Sequence, residues 1–462
     1  AYRLASYFGK VNYSLLDRYL LSGTIRRDGS SRFGTNNQFG IFPAVSGGWR
    51  VSEEAFIKDK LPQITDFKLR VGWGQTGNQD IANFASRGLY QSNLGILDPN
   101  FTPDTGTAYD IYGTNSNLPS GYRRIQQANP NLKWETTTQT NFGADFGLFD
   151  NTLTGSVDYF IKNSTDILVN LPYLAVVGEG GNKFVNGASL QNKGWEFLLS
   201  YQNKLANGVG FNITANVSTF RNKVTYLPDE VINAYGGNGQ DVTRLGHSIN
   251  AVYGYVADGL FQNASEVANA PTQVGAGPGR IRYKDLNGDG KVDNFDQTWI
   301  TEAVPNYSYG LNLGANYKGF DLQIFFQGVQ GLQAYNNIKF RTDFAGLAAG
   351  ENWGERTLNA WSPTNTGSSI PALSLINNNA ENRASTYFIE NASYMKLRNL
   401  QVGYSLPTEL VGKIKLQGIR VYVQGQNLFT VKSAQYTAPD PEVTNYQYPI
   451  PRVFTAGLNV TF

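Results

Sequence analysis

In segment after segment of this chain, apolar residues fall at every second position. In "DFKLRVGWG", Phe67, Leu69, Val71 and Trp73 share one face, with Lys68, Arg70, Gly72 and Gly74 on the other. In "TQTNFGADFGLF", Thr140, Phe142, Ala144, Phe146 and Leu148 alternate with Asn141, Gly143, Asp145 and Gly147. "NTLTGSVDYFIKN" answers with Leu153, Gly155, Val157, Tyr159 and Ile161, after a link short enough for a hairpin. A period of two belongs to strands with one apolar and one polar face. The pattern returns in "GWEFLLSYQ", "GFNITANVSTF", "YSYGLNLGANY", "FDLQIFFQG", "YMKLRNLQVGYSL", "IRVYVQGQNLFT" and "RVFTAGLNVTF". With an opening hairpin (about 3–13 and 18–27) and the strand in "GIFPAVSGGWRV", roughly thirteen strands result, many of about ten residues. Ordinary globular strands are nearer five or six residues.

The connections then decide the architecture. Short ones follow Tyr13, Val51, Leu148, Tyr201, Tyr317 and Leu406. Long ones fall at about 27–38, 76–130, 163–193, 221–305, 329–392 and 430–452, in strict alternation with the short. A soluble sandwich has no reason to collect every long loop at one end. An outer-membrane barrel does, with short periplasmic turns and long extracellular loops. The expected fold is therefore all-β, a transmembrane antiparallel β-barrel. In the last strand Phe454, Ala456, Leu458, Val460 and Phe462 share one face. That resembles the terminal signal by which outer-membrane barrels are recognised for insertion. Single-chain bacterial barrels have an even strand number, so the opening strand is expected to lack an upstream neighbour. The opening "AYRLASYFGKVNYS" reads as strand, without a charged leader or apolar core. It suits a chain that stays inside, or a mature or partial one.

Composition narrows the functions. Net charge is +2, with no concentrated basic stretch, so no nucleic-acid partner is expected. Cysteine is absent, which excludes disulfides, thiolate metal sites and cysteine nucleophiles. No apolar run is long enough for a transmembrane helix. Aromatic residues make up 13% of the chain. Strand aromatics such as Trp73, Tyr159, Trp195 and Tyr317 suit the interfacial girdles of a barrel.

One segment has the spacing of a cation site. "DLNGDGKVDNFD", residues 285–296, fits the calcium-loop template. Asp285, Asn287 and Asp289 take positions 1, 3 and 5, and Gly290 permits the sharp turn. The Lys291 carbonyl, Asp293 and Asp296 take positions 7, 9 and 12. A hard cation needs such a crowd of oxygens, and carboxylates this close otherwise repel. Asp in place of Glu at position 12 shortens the reach, and "GRIRY" before the loop looks extended rather than helical. The alternative is an ion-free Gly/Asp/Asn turn. Bound calcium would have a structural role, bracing the long 221–305 loop.

Other candidates are weaker. His247 is the sole histidine, and no G-x-S-x-G elbow supports a triad around it. "GEGGN" (178–182) and "GAGPGR" (275–280) lack the strand–helix setting of a phosphate cradle. Glu351 and Glu355 stand four apart, as a carboxylate pair on one helical turn would. Trp353 and Trp361 suit either stacking on a sugar or packing the loop.

Taken in order, several segments resemble the carboxyl-terminal half of the SusC/RagA family of TonB-dependent outer-membrane transporters. Among them are "FPAVSGGWRVSEEAF", "KLRVGWGQTGNQ", "NPNLKWETTTQTNFGADFGLF", "GHSINAVYGYVADGLFQ", "RYKDLNGDGKVDNFDQTWI" and "YPIPRVFTAGLNVTF". The resemblance implies a barrel of about 22 strands with a plugged lumen, of which this chain supplies roughly the last thirteen, without the amino-terminal plug. It also implies import of oligosaccharides, glycans or peptides, energy from the inner-membrane TonB complex, and a SusD-like surface lipoprotein as lid. It implies no enzymatic activity. Two other readings stay open on the residues alone: a secreted calcium-binding β-sandwich or adhesion module, and an outer-membrane enzyme that degrades glycans or peptides.

Overall fold

The computed structural model describes residues 2–91, 123–171, 181, 183–229, 232, 244–347, 352–445 and 447–462. Thirteen long strands form one antiparallel sheet in which neighbours in the sheet follow one another along the chain. They are β1 (Leu4–Leu15), β2 (Tyr19–Ser30), β3 (Phe39–Arg50), β4 (Ile64–Asn78), β5 (Glu135–Leu148), β6 (Leu153–Leu171) and β7 (Lys183–Lys204). Then come β8 (Gly210–Tyr226), β9 (Tyr307–Tyr317), β10 (Phe320–Gln330), β11 (Tyr394–Ser405), β12 (Gly418–Lys432) and β13 (Val453–Thr461). Lengths run from 9 residues in β13 to 22 in β7. A tilted strand of about ten residues already crosses a bilayer. Among the described residues no helix is long and apolar enough to do so.

Register turns the sequence alternation into two unlike faces. Val71 pairs with Phe142, Phe142 with Tyr159, and Tyr159 with Trp195, one apolar row across four strands. Val71, Phe142 and Trp195 are all exposed. Such a continuous exposed apolar surface suits lipid rather than water. Trp73 and Tyr317 are exposed as well, and Tyr159 tilts against Trp195 at 4.8 Å between ring centroids.

The opposite face is polar and carries its charges in compensated clusters. Lys68 and Arg70 both reach Asp145, at 2.8 and 2.6 Å, and Arg70 also pairs with Asp158 at 3.0 Å. Arg420 meets Asp321 at 2.5 Å across β10–β12. Both clusters lie near the end where the links between strands are short.

Those short links are 16–18, 51–63, 149–152, 205–209, 318–319 and 406–417. Positive φ at Leu16 and Asp17, and at Phe149, Asp150 and Asn151, gives two of them their tight reversal. One expected long loop is different. Most of 163–193 is strand, because β6 runs into it as far as Leu171 and β7 begins within it at Lys183, with Ile167 paired to Ala188 and Val169 to Val185. Register shifts after Ser164 absorb the bend. These strand tips close a satellite core in which Leu168 and Phe184 pack on Phe33, Phe42, Ile81, Ala85, Leu132 and Trp134.

Candidate functional site

Above the long-loop end of β8–β13, three connections pack together into one body, here called the cap. Short strand pairs organise it: Val252–Tyr255 with Gln297–Thr301, Ala257–Leu260 with Ile281–Tyr283, and Gln333–Tyr335 with Ile389–Asn391. Tyr255, Leu260, Ile281, Tyr283, Val292, Phe344, Trp361 and Phe388 share its apolar centre. These residues come from two segments, 255–292 and 344–388. Polar staples cross the same seam. The Arg280 guanidinium pairs with the buried Glu381 at 2.7 Å, and Glu381 also accepts the Ile281 N–H at 2.8 Å. Gln273 and Asn379 donate to the Ile281 carbonyl.

The calcium-type segment is built into this body. Thr272 bridges Lys291, and Val292 enters the apolar centre. Asp285 accepts the Gly288 and Gly290 N–H groups at 2.6 and 2.9 Å. Asn287 accepts from Asp289, Asp289 from Lys291, and Asp293 from Phe295. Gly288 and Gly290 have φ of +75° and +85°, which a side chain would strain. Asp296 is 0% exposed, and its two oxygens accept the Leu286, Asn287 and Asp293 N–H groups. The Lys291 ammonium lies 3.0 Å from Asp293 and 3.7 Å from Asp289. The Asp293 contact raises Lys291, while the Phe295 amide and Lys291 hold Asp293 below the usual carboxylate range. Among the described residues, no three His, Cys, Asp or Glu groups converge as a ready-made metal cluster.

The remaining candidates divide. Trp361 is buried in the cap centre, with its indole N–H on Gln262 at 2.9 Å, so it packs the loop. Gly279 of "GAGPGR" has φ +80° and packs on Trp361, and its carbonyl accepts from Ala372. Glu355 opens a short 3-10 turn, Glu355–Asn359, which follows the half-buried Trp353 in the chain. Glu351 and most of "GEGGN" lie outside the described residues.

His247 closes the neck of the longest loop. Its ring stacks on Trp299 at 4.3 Å, and Nδ1 lies 2.7 Å from Glu302. Glu302 also accepts the Ser248 N–H at 2.7 Å, while the His247 carbonyl accepts from Val224 in β8. Burial works to raise the Glu302 carboxyl, yet His247 and the Ser248 amide hold it below the usual range. A depressed carboxylate stabilises the fold above its ordinary value of about 4.3, and that stability is lost as pH falls through the lower folded value. Acidification is therefore expected to loosen residues 244–250. Hydrogen exchange corrected for intrinsic rates should show it in the native chain and not in Glu302→Gln; equal protection of the native neck at neutral and acid pH would refute the clasp.

The last long connection, 433–445, lies against the inner wall. Leu322, Val402 and Val423 align on the apolar face, and so do Phe326, Leu397 and Phe429 beyond the bulge at Arg398. Lys396 therefore points to the polar side. It is 1% exposed, with its ammonium 2.7 and 2.8 Å from the Asp440 oxygens and 2.6 Å from Glu442. Arg398 also pairs with Glu442, and the Tyr394 hydroxyl donates to Glu442 at 2.7 Å. Thr437 carries the link onward to Glu390 of the cap, its N–H donating at 2.9 Å. Nothing in "YMKLRNLQV" announced this, because a lysine on the polar face of a strand is ordinarily wet.

A family model, "TonB dependent receptor-like, beta-barrel", matches residues 1–428. The chain belongs to this TonB-dependent receptor-like β-barrel family. TonB-dependent receptor P3 of Formosa agariphila is 32% identical, aligned over 99% of this chain and 45% of that protein. TonB-dependent receptor SusC of Bacteroides thetaiotaomicron is 31% identical over 99% of this chain and 44% of its own length. The solved RagAB peptide transporter superposes with a TM-score of 0.79 at 26% identity, covering all of this chain and 47% of that one. The chain thus spans less than half the length of the relatives it matches. It is an outer-membrane β-barrel protein of the SusC/RagA kind.

Proposed function

We propose that the chain forms the wall and outer mouth of an importer that takes bulky polar nutrients, oligosaccharides or other glycans, or peptides, across the outer membrane. The carrying observation is the division of the molecule: an apolar outer face, a polar inner face, and three long connections whose described residues pack together at one rim as a cap. Energy would come from a TonB complex acting through a plug in the lumen. A SusD-like lipoprotein would sit over the cap. The exposed Leu375, Ile376 and Val274 there, 78%, 64% and 77% accessible, suit a protein contact better than water. The resemblance to the RagAB peptide transporter supports the peptide class, while the glycan class rests on the family resemblance of the sequence. The discriminating experiment is deletion of the full-length gene, followed by growth on a panel of glycans and of peptides as sole carbon source. Loss of growth on one class names the cargo; unimpaired growth on every substrate would refute import.

Calcium belongs to the same proposal, as a brace rather than a reactant. The residues that would hold it are Asp285, Asn287, Asp289, Asp293 and Asp296, with the Lys291 carbonyl. The positive-φ glycines and the chain of carboxylate-to-amide hydrogen bonds support the fit, since they already give the loop its turn. The Lys291 ammonium now offsets part of the negative charge that a cation would offset. Titration calorimetry of the full-length protein should detect one calcium, lost in Asp285→Ala and Asp289→Ala and retained in Lys291→Ala. Unchanged calcium content in both aspartate variants would overturn the assignment.

A further inference from the structure

We infer that residues 433–445 form a strap that Lys396 latches onto the inner wall, so that the mouth has a narrow, latched state and a wider, released one. The inference rests on the importer reading only for its consequence, not for its geometry. The strap's apolar seat is thin. Tyr436 and Ala438 pack on Ala334 and Ala392, with Leu332 and Ile338 at the edge. Three of the four central residues are alanines, which bury little surface. The fourth brings a defect, since the buried Tyr436 hydroxyl has no hydrogen-bond partner among the described residues. Such an atom opposes the seated state.

Neutral hydrogen bonds tie the strap's ends, from the Ser433 N–H to Ser393 and from Asn337 to Asn445, and charge holds its middle. Lys396 and Arg398 come from β11, and Asp440 and Glu442 from the strap. The Lys432 ammonium of β12 donates to the Ala438 carbonyl, and Glu390 of the cap accepts from Thr437. A buried ion pair adds little net stability over an apolar contact, but removing one partner is strongly destabilising. The arrangement is thus sensitive to anything that competes for these charges, while the sheet behind it, paired by backbone hydrogen bonds, is not. Lys396 is a positioning residue: it sets where the strap lies.

These 462 residues contain no cysteine, and any cysteine elsewhere in the full-length protein is first replaced by serine. Ala438→Cys, in the full-length protein in intact cells, is labelled with a membrane-impermeant maleimide. Ala438 is 1% exposed, so the cysteine should react slowly. Adding Lys396→Met, or separately Glu442→Gln, should speed labelling by about tenfold or more, as local opening becomes favourable. Heat-modifiable migration on an unboiled gel monitors barrel folding in each variant. Slow labelling in every folded variant would overturn the latch, leaving apolar packing as the restraint. Fast labelling without Lys396→Met would overturn the seated strap itself. Neither readout depends on transport, so failure of the import reading would leave the labelling result standing.

Discussion

Replacing Phe388 by alanine is expected to open the cap while leaving the barrel wall intact. Phe388 is 0% exposed and lies at the meeting point of Tyr335, Phe344 and Tyr387, with ring centroids 5.4, 5.9 and 5.3 Å away. Truncating a buried phenylalanine costs about 3–5 kcal/mol, from lost burial and from the cavity left behind. The cap has a small centre of its own, so that cost falls on a local unit rather than being spread over the sheet. Hydrogen exchange should accelerate in 252–301 and 331–393 and stay unchanged in β4–β8. Heat-modifiable migration should persist. Acceleration confined to the immediate neighbours of position 388 would mean that the cap is not one cooperative body.

Glu381→Ala should act at the same seam by a different route. Glu381 is nearly fully buried and receives Arg280, the Ile281 N–H and Asn379 together. Removing one partner of a buried pair leaves the other charge desolvated, at about 3–5 kcal/mol. The Ile281 amide is orphaned as well, beside an apolar residue of the cap centre. The calcium-type segment follows Ile281–Tyr283 directly, so Glu381→Ala is expected to loosen it too, although Glu381 is 85 positions further along the chain than Asp296. Exchange of the 285–296 amides reads this. Full protection there in the variant would separate the segment from the cap.

The two predictions touch what was least legible in the sequence. Alternation at Phe67, Leu69, Val71 and Trp73, or at Leu153 through Ile161, marks a strand by itself, so the wall and its short hairpins could be read directly. The turn at 285–296, with its positive-φ Gly288 and Gly290, could be read for the same reason, since its spacing is local; its cation is a proposal. The cap could not. Arg280 meets Glu381, and Tyr255 meets Ala384, across more than a hundred residues, and such pairings impose no period on either segment. The same blindness covers Lys396, whose burial depends on a strap that follows it by more than forty positions. It also explains the mistaken long loop at 163–193: Asn, Lys and Gly look like turn residues until their pairing partners are known. Sequence leaves Trp361 equally suited to ligand and core, and its indole N–H on Gln262 in the cap centre places it in the core.

The central claim is that this wall lines a route for active uptake. The most direct measurement is accumulation of labelled glycan or peptide, of the class identified by growth, in cells carrying the full-length protein and in cells lacking it. The account predicts accumulation that needs the protein and that stops when the proton-motive force is collapsed. Equal accumulation in both strains, or uptake indifferent to that collapse, would contradict it.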